Sequence, residues 1–209
     1  MALPGEKEPE KLEKAARGAG WRDYYEATAG RPPRPTLLFA LARFAAPQAA
    51  ADLGCGDGRD TIELLRRGWS VTAIDAAPEA IERLCARPDL PPGARLGARC
   101  ARFEAAKWGT VTLVNASFAL PLCESQAFAE VWAKITESLV SGGRFAGQFY
   151  GSRDSWASDP AMTILDRDSV RRLFDAYAFE LFEEEESDTV TPRGRAKHWH
   201  IFHVVARKI

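Results

Sequence analysis

The glycine-rich stretch from Ala50 to Asp60 holds the residues whose types and spacing point most clearly to chemistry. Glycine occupies every second position across Gly54, Gly56 and Gly58. A backbone without Cβ atoms turns sharply and passes close to a ligand. The apolar residues before these glycines are typical of a strand, and residues 61–68 are typical of a helix with a glycine stop. The pattern predicts the first unit of a βαβ sheet approaching a nucleotide-like ligand, the alternative being a tight turn that serves only packing.

A carboxylate follows the next predicted strand at a spacing that narrows the ligand class. The apolar run over residues 69–74 ends at Asp75, which lies 75 − 58 = 17 positions beyond the last loop glycine. A carboxylate at the end of a second strand accepts the hydroxyls of a ribose. A dinucleotide fingerprint needs glycine at the sixth position counted from Gly54, and this chain has Arg59 there. The loop instead reads Asp-x-Gly-x-Gly-x-Gly and starts at Asp52.

This acidic loop with three glycines, followed by the acid of the second strand, resembles the first two motifs of class I S-adenosylmethionine-dependent methyltransferases. The resemblance runs from about Ala50 to the C-terminal end. It implies an α/β fold, a Rossmann-like doubly wound sheet of seven strands in the order 3-2-1-4-5-7-6, with strand 7 antiparallel and helices on both faces. It also implies S-adenosyl-L-methionine as cofactor and S-adenosyl-L-homocysteine as product. A Rossmann-like domain with another ligand is the alternative.

In many enzymes of this class an N-terminal segment folds over the cofactor. The resemblance assigns the methionyl carboxylate to Arg34 or Arg31, because the guanidinium fork suits a carboxylate. It assigns closure of the pocket to Trp21 and Tyr25, the alternative being ordinary packing. The loop after the third strand would line the adenine, with Glu104 as the acid nearest to the expected place. The predicted cofactor-binding residues are Trp21, Tyr25, Arg34, Asp52, Gly54, Cys55, Gly56, Asp75, Ala76, Arg102, Phe103 and Asn115.

The substrate side is predicted at the carboxyl ends of the fourth and fifth strands, because ligands of such sheets bind there. Where some base and protein methyltransferases carry Asn-Pro-Pro-Tyr, this chain has Asn-Ala-Ser-Phe at residues 115–118. It therefore lacks that signature of amino methylation. A long polar connection over residues 151–160 is typical of a lid or specificity loop, or simply of a surface loop. The predicted substrate-side residues are Ser117, Phe118, Arg153 and Trp156.

All three histidines lie in the last predicted strand, within residues 198–203. Side chains alternate along a strand, so His198 and His200 share one face and His203 points to the other. An antiparallel strand starts where its parallel neighbours end, which predicts His198 and His200 at the catalytic edge. We predict a general-base or substrate-orienting role for them and for Tyr150, with packing histidines as the alternative. No third ligand lies nearby in the sequence, so no metal site is predicted.

The later helices and strands are predicted from the spacing of apolar residues and from the glycines that interrupt it. One apolar helical face runs from Phe128 to Leu139 and is predicted to end at the glycines of residues 142–143. A fifth strand is predicted over residues 144–150. A helix over residues 168–177 and a strand over residues 179–186 follow, and the last strand covers residues 197–206.

Composition indicates one ordinary domain. The chain has 209 residues, 46% hydrophobic content and a net charge of −1, which argues against a broad nucleic-acid surface. Residues 1–20 are predicted to be a charged tail or helix, and residues 21–209 a single methyltransferase domain. The four cysteines are far apart, which favours reduced thiols in a cytoplasmic protein. No signal peptide or membrane span is predicted, and the expected state is monomer or homodimer.

The resemblance therefore implies methyl transfer to a small-molecule acceptor by in-line displacement. The terminal segments are most similar to small-molecule enzymes of the tellurite-resistance and thiopurine methyltransferase type. The alternatives are an RNA or protein methyltransferase, and a noncatalytic protein that binds S-adenosylmethionine.

Overall fold

The computed structural model describes residues 21–209, so the prediction for residues 1–20 lies outside the described residues. Seven strands form one sheet in the order β3-β2-β1-β4-β5-β7-β6. β7 is antiparallel to both of its neighbours, and the other neighbouring pairs are parallel. The predicted topology is confirmed. The strands are β1 Ala49–Leu53, β2 Ser70–Asp75, β3 Arg95–Cys100, β4 Val111–Ala116, β5 Leu139–Tyr150, β6 Tyr177–Val190 and β7 Ala196–Lys208.

Helices cover both faces of the sheet. They are α1 Trp21–Thr28, α2 Pro35–Leu41, α3 Arg59–Arg66, α4 Pro78–Cys85, α5 Ser125–Ser138 and α6 Arg167–Leu173, with a short 3₁₀ turn at Leu120–Leu122. One apolar cluster joins α5 and α6 to the sheet, and a second joins α2, α3 and α4 to it. β1 and β4 are buried along nearly their whole length, as expected of central parallel strands covered on both sides.

The predicted end of α5 was wrong. The helix ends at Ser138, and Leu139 already has extended backbone angles and begins β5. Leu139 is buried and pairs with Val111, so sheet pairing ends the helix before the two glycines are reached. Gly142 instead lies inside β5 with a φ of 79°, next to the place where the register between β4 and β5 shifts.

The predicted end of α6 was also wrong, since Tyr177 is the first residue of β6 and pairs with Lys208. β6 also continues past residue 186 to Val190. β5 ends at Tyr150, which pairs with Ile201, so residues 196–200 of β7 extend beyond β5 and pair with β6. The two strands form a ribbon that projects past the carboxyl edge of the central strands. Within residues 21–209, no helix is both long and apolar enough to cross a bilayer.

Candidate functional site

The loop after β1 is tightly enclosed at the carboxyl edge of the sheet. Gly54 has a φ of 70°, and a Cβ on it would lie 2.4 Å from the Cβ of Ala119 and 3.6 Å from Cζ of Phe103. Gly58 has a φ of 91°, and a Cβ there would lie 2.3 Å from Cδ1 of Leu84. Larger residues at these two positions would be strained by both conformation and space. The loop is thus a glycine cradle packed tightly against the protein, and its residues Gly54 and Gly56 line the neighbouring pocket.

Asp75 ties the end of β2 to this cradle. Its carboxylate accepts hydrogen bonds from the backbone amides of Gly56 and Ala77, each at 2.9 Å. Burial raises the pKa of Asp75, and the amides of Ala77 and Gly56 oppose that rise. A carboxylate oxygen has more than one acceptor position. Asp75 therefore holds the loop in place and keeps acceptor capacity for the hydroxyls of a ligand.

A pocket of about 60 Å³ opens beside the cradle. Many of the predicted cofactor residues meet there, together with residues of α1 and α3. Trp21 stacks on Tyr25, with the two ring centroids 6.2 Å apart. Tyr25 itself is buried and packs over Gly56. The pocket is lined by Tyr24, Tyr25, Thr28, Arg34, Asp52, Gly54, Cys55, Gly56, Asp57, Arg59, Asp60 and Ser117.

Two buried carboxylates, Asp52 and Asp60, form the polar floor of this pocket. The side-chain amide of Asn115 donates to both, at 2.8 Å to Asp52 and 3.1 Å to Asp60. The Thr61 hydroxyl donates to Asp52 at 2.5 Å, and the Ser117 hydroxyl donates to Asp60 at 2.7 Å. Asp60 was missing from the residues predicted for the site. Its signal was available, because an acid in the first turn of a helix after the glycine loop lies beside the strand ends.

Asp60 lies close enough for its charge to affect the pKa of Asp52. Burial, followed by the charge of Asp60, raises the pKa of Asp52 to about 7, against hydrogen bonds from Thr61 and Asn115 that lower it. Two like charges in one buried site do not both ionise easily. The floor of the pocket thus retains a proton near neutral pH, and a cation placed against it would favour release of that proton.

Two arginines, Arg59 and Arg34, add positive charge to the same pocket. Arg59 donates from Nε to the carbonyl of Pro32 at 2.6 Å, while its Nη1 is buried without a hydrogen-bond partner in the described part of the chain. Burial and the neighbouring charge of Arg34 lower the pKa of Arg59. Arg34 lines the same pocket, whereas Arg31 is exposed. A buried, unpartnered guanidinium nitrogen fits a carboxylate group, and Arg59 was missing from the predicted site.

The loop predicted to line the adenine lies against the cradle through one residue. The ring of Phe103 reaches Gly54, while Arg102 points to the surface and pairs with Glu104 and Glu124 at 3.1 and 2.9 Å. The carboxylate of Glu104 is thus held by Arg102. Ala76 is exposed directly after Asp75.

Phe118 stands at the boundary between the pocket and the predicted substrate side. It is the non-glycine residue with positive φ, 56°, among residues 21–209. Its amide donates to the side chain of Gln148 at 3.1 Å, and Gln148 in turn donates to Thr36 at 2.8 Å. The guanidinium of Arg34 lies 4.4 Å from the Phe118 ring centroid. Such a strained backbone persists where its surroundings hold it, as Gln148 does here.

Beyond Phe118, three aromatic rings enclose an ammonium group of the chain itself. The Nζ of Lys197 lies 5.1, 3.9 and 4.4 Å from the ring centroids of Tyr150, Trp156 and Trp199. Lys197 forms an ion pair with Asp154, and both side chains are almost completely buried. Burial raises the pKa of Tyr150 far above its ordinary value. The aromatic enclosure lies next to Phe118, whose ring centroid is 6.2 Å from that of Tyr150.

The connection after β5 is fastened to β7. The amide of Gly151 donates to the carbonyl of His200 at 2.7 Å, and the amide of Ser155 donates to the carbonyl of His198 at 3.0 Å. Arg153 lies on the outside of this connection and pairs with the acidic residues of β6. Trp156 remains 38% exposed. The connection thus forms a fixed wall at the sheet edge.

The two histidines predicted at the catalytic edge have both ring nitrogens in contact with other groups. His198 meets Asp188 at 2.9 Å and Glu186 at 3.1 Å, and these hydrogen bonds raise its pKa. His200 accepts from the amide of Arg153 at 3.1 Å and meets Glu184 at 2.8 Å. In the described residues, no group of three or more histidine, cysteine, aspartate or glutamate side chains is placed to hold a metal ion.

His203 is the histidine that lies beside Phe118. The two ring centroids are 6.4 Å apart, and Nε2 of His203 meets the Glu185 carboxylate at 2.9 Å. Alternation along the strand correctly separated His203 from His198 and His200. Which of the two faces turns toward Phe118 was not evident from the sequence.

The comparisons with known proteins agree with this geometry. A family model described as a methyltransferase domain matches residues 50–143. A search of curated proteins found no match to this sequence.

Several solved structures have a similar fold. TehB from Haemophilus influenzae matches with a TM-score of 0.75 and 14% identity, over 90% of this chain and 67% of that chain. The 1,6-didemethyltoxoflavin-N1-methyltransferase of Burkholderia thailandensis was solved with bound 1,6-didemethyltoxoflavin and S-adenosylhomocysteine. It matches with a TM-score of 0.69 and 20% identity, over 99% of this chain and 93% of that chain. Magnesium protoporphyrin IX methyltransferase from Synechocystis PCC 6803, with bound SAM, matches with a TM-score of 0.70 and 11% identity, over 100% of both chains. At these identities the similarity concerns the fold.

Proposed function

We propose that this chain, an S-adenosylmethionine-dependent methyltransferase by its domain and its fold, transfers the methyl group to a small-molecule acceptor. The observation that carries the proposal is the convergence of the glycine cradle, Asp75 and the unpartnered Nη1 of Arg59 at one edge of the sheet. Two of the similar structures are named for small-molecule substrates, 1,6-didemethyltoxoflavin and magnesium protoporphyrin IX. A net charge of −1 also speaks against a broad nucleic-acid surface.

The residues around the pocket fit the parts of S-adenosylmethionine. Asp75 would accept the ribose hydroxyls, with Gly56 and Cys55 beneath. Arg59 and Arg34 would hold the methionyl carboxylate, because the buried Nη1 of Arg59 has no partner in the described chain and would gain one from an anion. The paired carboxylates of Asp52 and Asp60, joined by Asn115, would face the methionyl ammonium. Phe103 and Ala76 would border the adenine, while Tyr25, backed by Trp21, covers the pocket.

When bound, the cofactor supplies a methyl group on a positively charged sulfur, which is a good leaving group. The chain has then to place the acceptor atom in line with that methyl group and to exclude water. Ser117 and Phe118 lie at the point where the pocket meets the aromatic enclosure of Tyr150, Trp156 and Trp199. These rings provide an apolar wall for an acceptor.

An acceptor that must lose a proton needs a base on the same side as Phe118. We place His203 in this role, since Glu185 holds its Nε2 and its Nδ1 has no hydrogen-bond partner among residues 21–209. The proton would pass from the acceptor to Nδ1, and the carboxylate of Glu185 would stabilise the imidazolium. Tyr150 would border the acceptor, whereas His198, His200 and Arg153 would hold the wall formed by residues 151–156.

The proposal is tested by incubating the purified protein with methyl-labelled S-adenosylmethionine and a size-fractionated cell extract. Label in the small-molecule fraction, dependent on Asp75 in an Asp75→Ala control, would support it. Label in RNA or protein would contradict the small-molecule acceptor and identify a macromolecular acceptor instead. Cofactor binding without transfer to any fraction, repeated with extracts of different sources, would favour a noncatalytic binding protein. A cytoplasmic location belongs to the same proposal and fits the four free thiols.

A further inference from the structure

We propose that Lys134 is a positioning residue that sets the adenine side of the cofactor site. The inference rests on the proposed function. Lys134 lies on α5 and does not line the pocket beside the glycine cradle. It acts on the connection between β3 and β4, here called the adenine loop, which comprises residues 101–106.

All three hydrogen bonds of the Lys134 ammonium group go to the adenine loop. Its Nζ donates to the backbone carbonyls of Phe103, Glu104 and Ala106, at 3.0, 2.7 and 3.2 Å. An ammonium group has three donors and no acceptor, so these contacts use its full capacity. Hydrogen bonds from a charged donor are stronger than those between neutral groups. One side chain of a long helix thus fixes three neighbouring carbonyls of a short loop.

The clamp determines which way the other polar groups of the loop point. In a trans peptide the N–H and C=O point in opposite directions. Because the carbonyl of Phe103 points to Lys134, the N–H of Glu104 points away from it. The amides of Ala105 and Ala106 both donate to the carbonyl of Arg102, which closes the loop as a turn. The amides of Arg102, Phe103 and Glu104 donate to no backbone carbonyl among residues 21–209, so the amide that reads a ring nitrogen is one of these three.

The same clamp also places the ring of Phe103. Its Cζ would lie 3.6 Å from a Cβ on Gly54, so the ring borders the cradle. A free loop would let this ring and the unused amides of residues 102–104 move together. Lys134 consequently controls both a stacking surface and a hydrogen-bond donor for adenine, without touching either the adenine or the rest of the cofactor.

The chain offers a matched control at the end of the same helix. Nζ of Lys208 donates to the carbonyls of Thr136 and Leu139, at 2.6 and 2.7 Å. It is likewise a half-buried lysine that joins backbone carbonyls of neighbouring residues, but it lies at the end of β7 and does not touch the adenine loop. Lys208→Met removes a similar clamp with a similar structural cost.

The experiment measures binding of two probes, S-adenosylhomocysteine and S-inosylhomocysteine, by isothermal titration calorimetry. Hypoxanthine carries a hydrogen on N1 where adenine has an acceptor, so a backbone amide discriminates between them. We expect Lys134→Met to weaken S-adenosylhomocysteine binding roughly ten-fold and to bring the ratio of the two affinities close to one. Lys208→Met should leave that ratio unchanged. The thermal midpoint of both variants is recorded to compare their stability.

The outcomes separate the inference from the function on which it rests. If the wild-type protein does not bind S-adenosylhomocysteine, the proposed function fails. If it binds, and Lys134→Met keeps the wild-type affinity ratio, the positioning role is refuted. Equal losses of affinity and stability in both lysine variants, with the ratio preserved, would also refute it. Should Lys134→Met not fold, Lys134→Arg retains the charge with a different donor geometry, and a smaller decrease of the ratio is then expected.

Discussion

The buried carboxylate pair predicts an unusual dependence of stability on pH. The pKa of Asp52 rises from 3.8 to about 7 in the folded protein, through burial and the charge of Asp60. The folded state therefore keeps a proton that the unfolded state loses above about pH 4. Stability due to this group falls as pH rises from about 4 to about 7 and is constant above that range. Each pKa unit corresponds to about 1.4 kcal/mol, and the folded group is half titrated at pH 7, so the change between pH 5 and pH 7 is about 2 to 3 kcal/mol.

Replacing Asp52 by asparagine removes the titration and preserves the shape. The amide oxygen still accepts from Asn115, and the amide nitrogen donates to the hydroxyl oxygen of Thr61, which has free lone pairs. The expected result is that the free energy of unfolding of the wild type, minus that of Asp52→Asn, falls by about 2 to 3 kcal/mol between pH 5 and pH 7.

Urea unfolding at pH 5, 6, 7 and 8 measures this difference directly. Asp60→Asn serves as a second arm, because removal of the neighbouring charge lowers the pKa of Asp52 and should flatten the same curve. A wild-type curve parallel to that of Asp52→Asn over the whole range would mean that Asp52 is ionised throughout. The assignment of a retained proton to the pocket floor would then be wrong.

Further substitutions test other parts of the site. Gly54→Ala should lower the thermal midpoint and weaken S-adenosylhomocysteine binding in calorimetry, because the new Cβ would lie 2.4 Å from that of Ala119 and would displace the loop. Lys197→Met should lower the free energy of urea unfolding by about 3 to 5 kcal/mol, since it leaves Asp154 buried without its partner. The double variant Lys197→Met/Asp154→Asn should recover part of that loss, and no recovery would argue against the unpaired charge as its cause. Arg59→Met should weaken S-adenosylhomocysteine binding about ten-fold or more with only a small loss of thermal stability, because Nη1 has no partner in the described chain and Nε makes a single hydrogen bond, to Pro32. Unchanged affinity would remove Arg59 from the carboxylate site.

The sequence was sufficient for the features that depend on neighbouring residues. The glycine loop, the helix that follows it and the acid at the end of β2 are local patterns, and the structure has all three. The order of the seven strands was inferred through the family resemblance and is confirmed. The boundaries at Leu139 and Tyr177 could not be found this way, because their apolar side chains satisfy both a helical face and a strand. The strand pairs Val111–Leu139 and Lys208–Tyr177 fix these two boundaries. Such pairs join distant parts of the chain, so the local spacing of apolar residues does not reveal them.

The composition of the pocket floor depended on contacts between distant parts of the chain. Asn115 and Ser117 were predicted from their position at the end of β4, but their shared partner Asp60 lies 55 and 57 positions away. Lys134 likewise reaches carbonyls 28 to 31 positions earlier in the chain. A lysine on a helix gives no local signal of such a role, because an exposed lysine has the same sequence pattern.

The positions of the β7 histidines depend on two separate properties of the strand, its direction and its register with β5. The antiparallel direction of β7 correctly placed its first residues at the carboxyl edge of the sheet. The face of each side chain depends instead on pairing, and β7 is paired so that His203 lies opposite Gln148. Gln148 holds the amide of Phe118, so the residue opposite it shares the face that looks toward Phe118. A shift of one residue in this pairing would have placed Phe202 or Val204 opposite Gln148 instead. The position of His203 on the Phe118 side therefore follows from the register of two strands, and the order of histidines along the chain does not determine it.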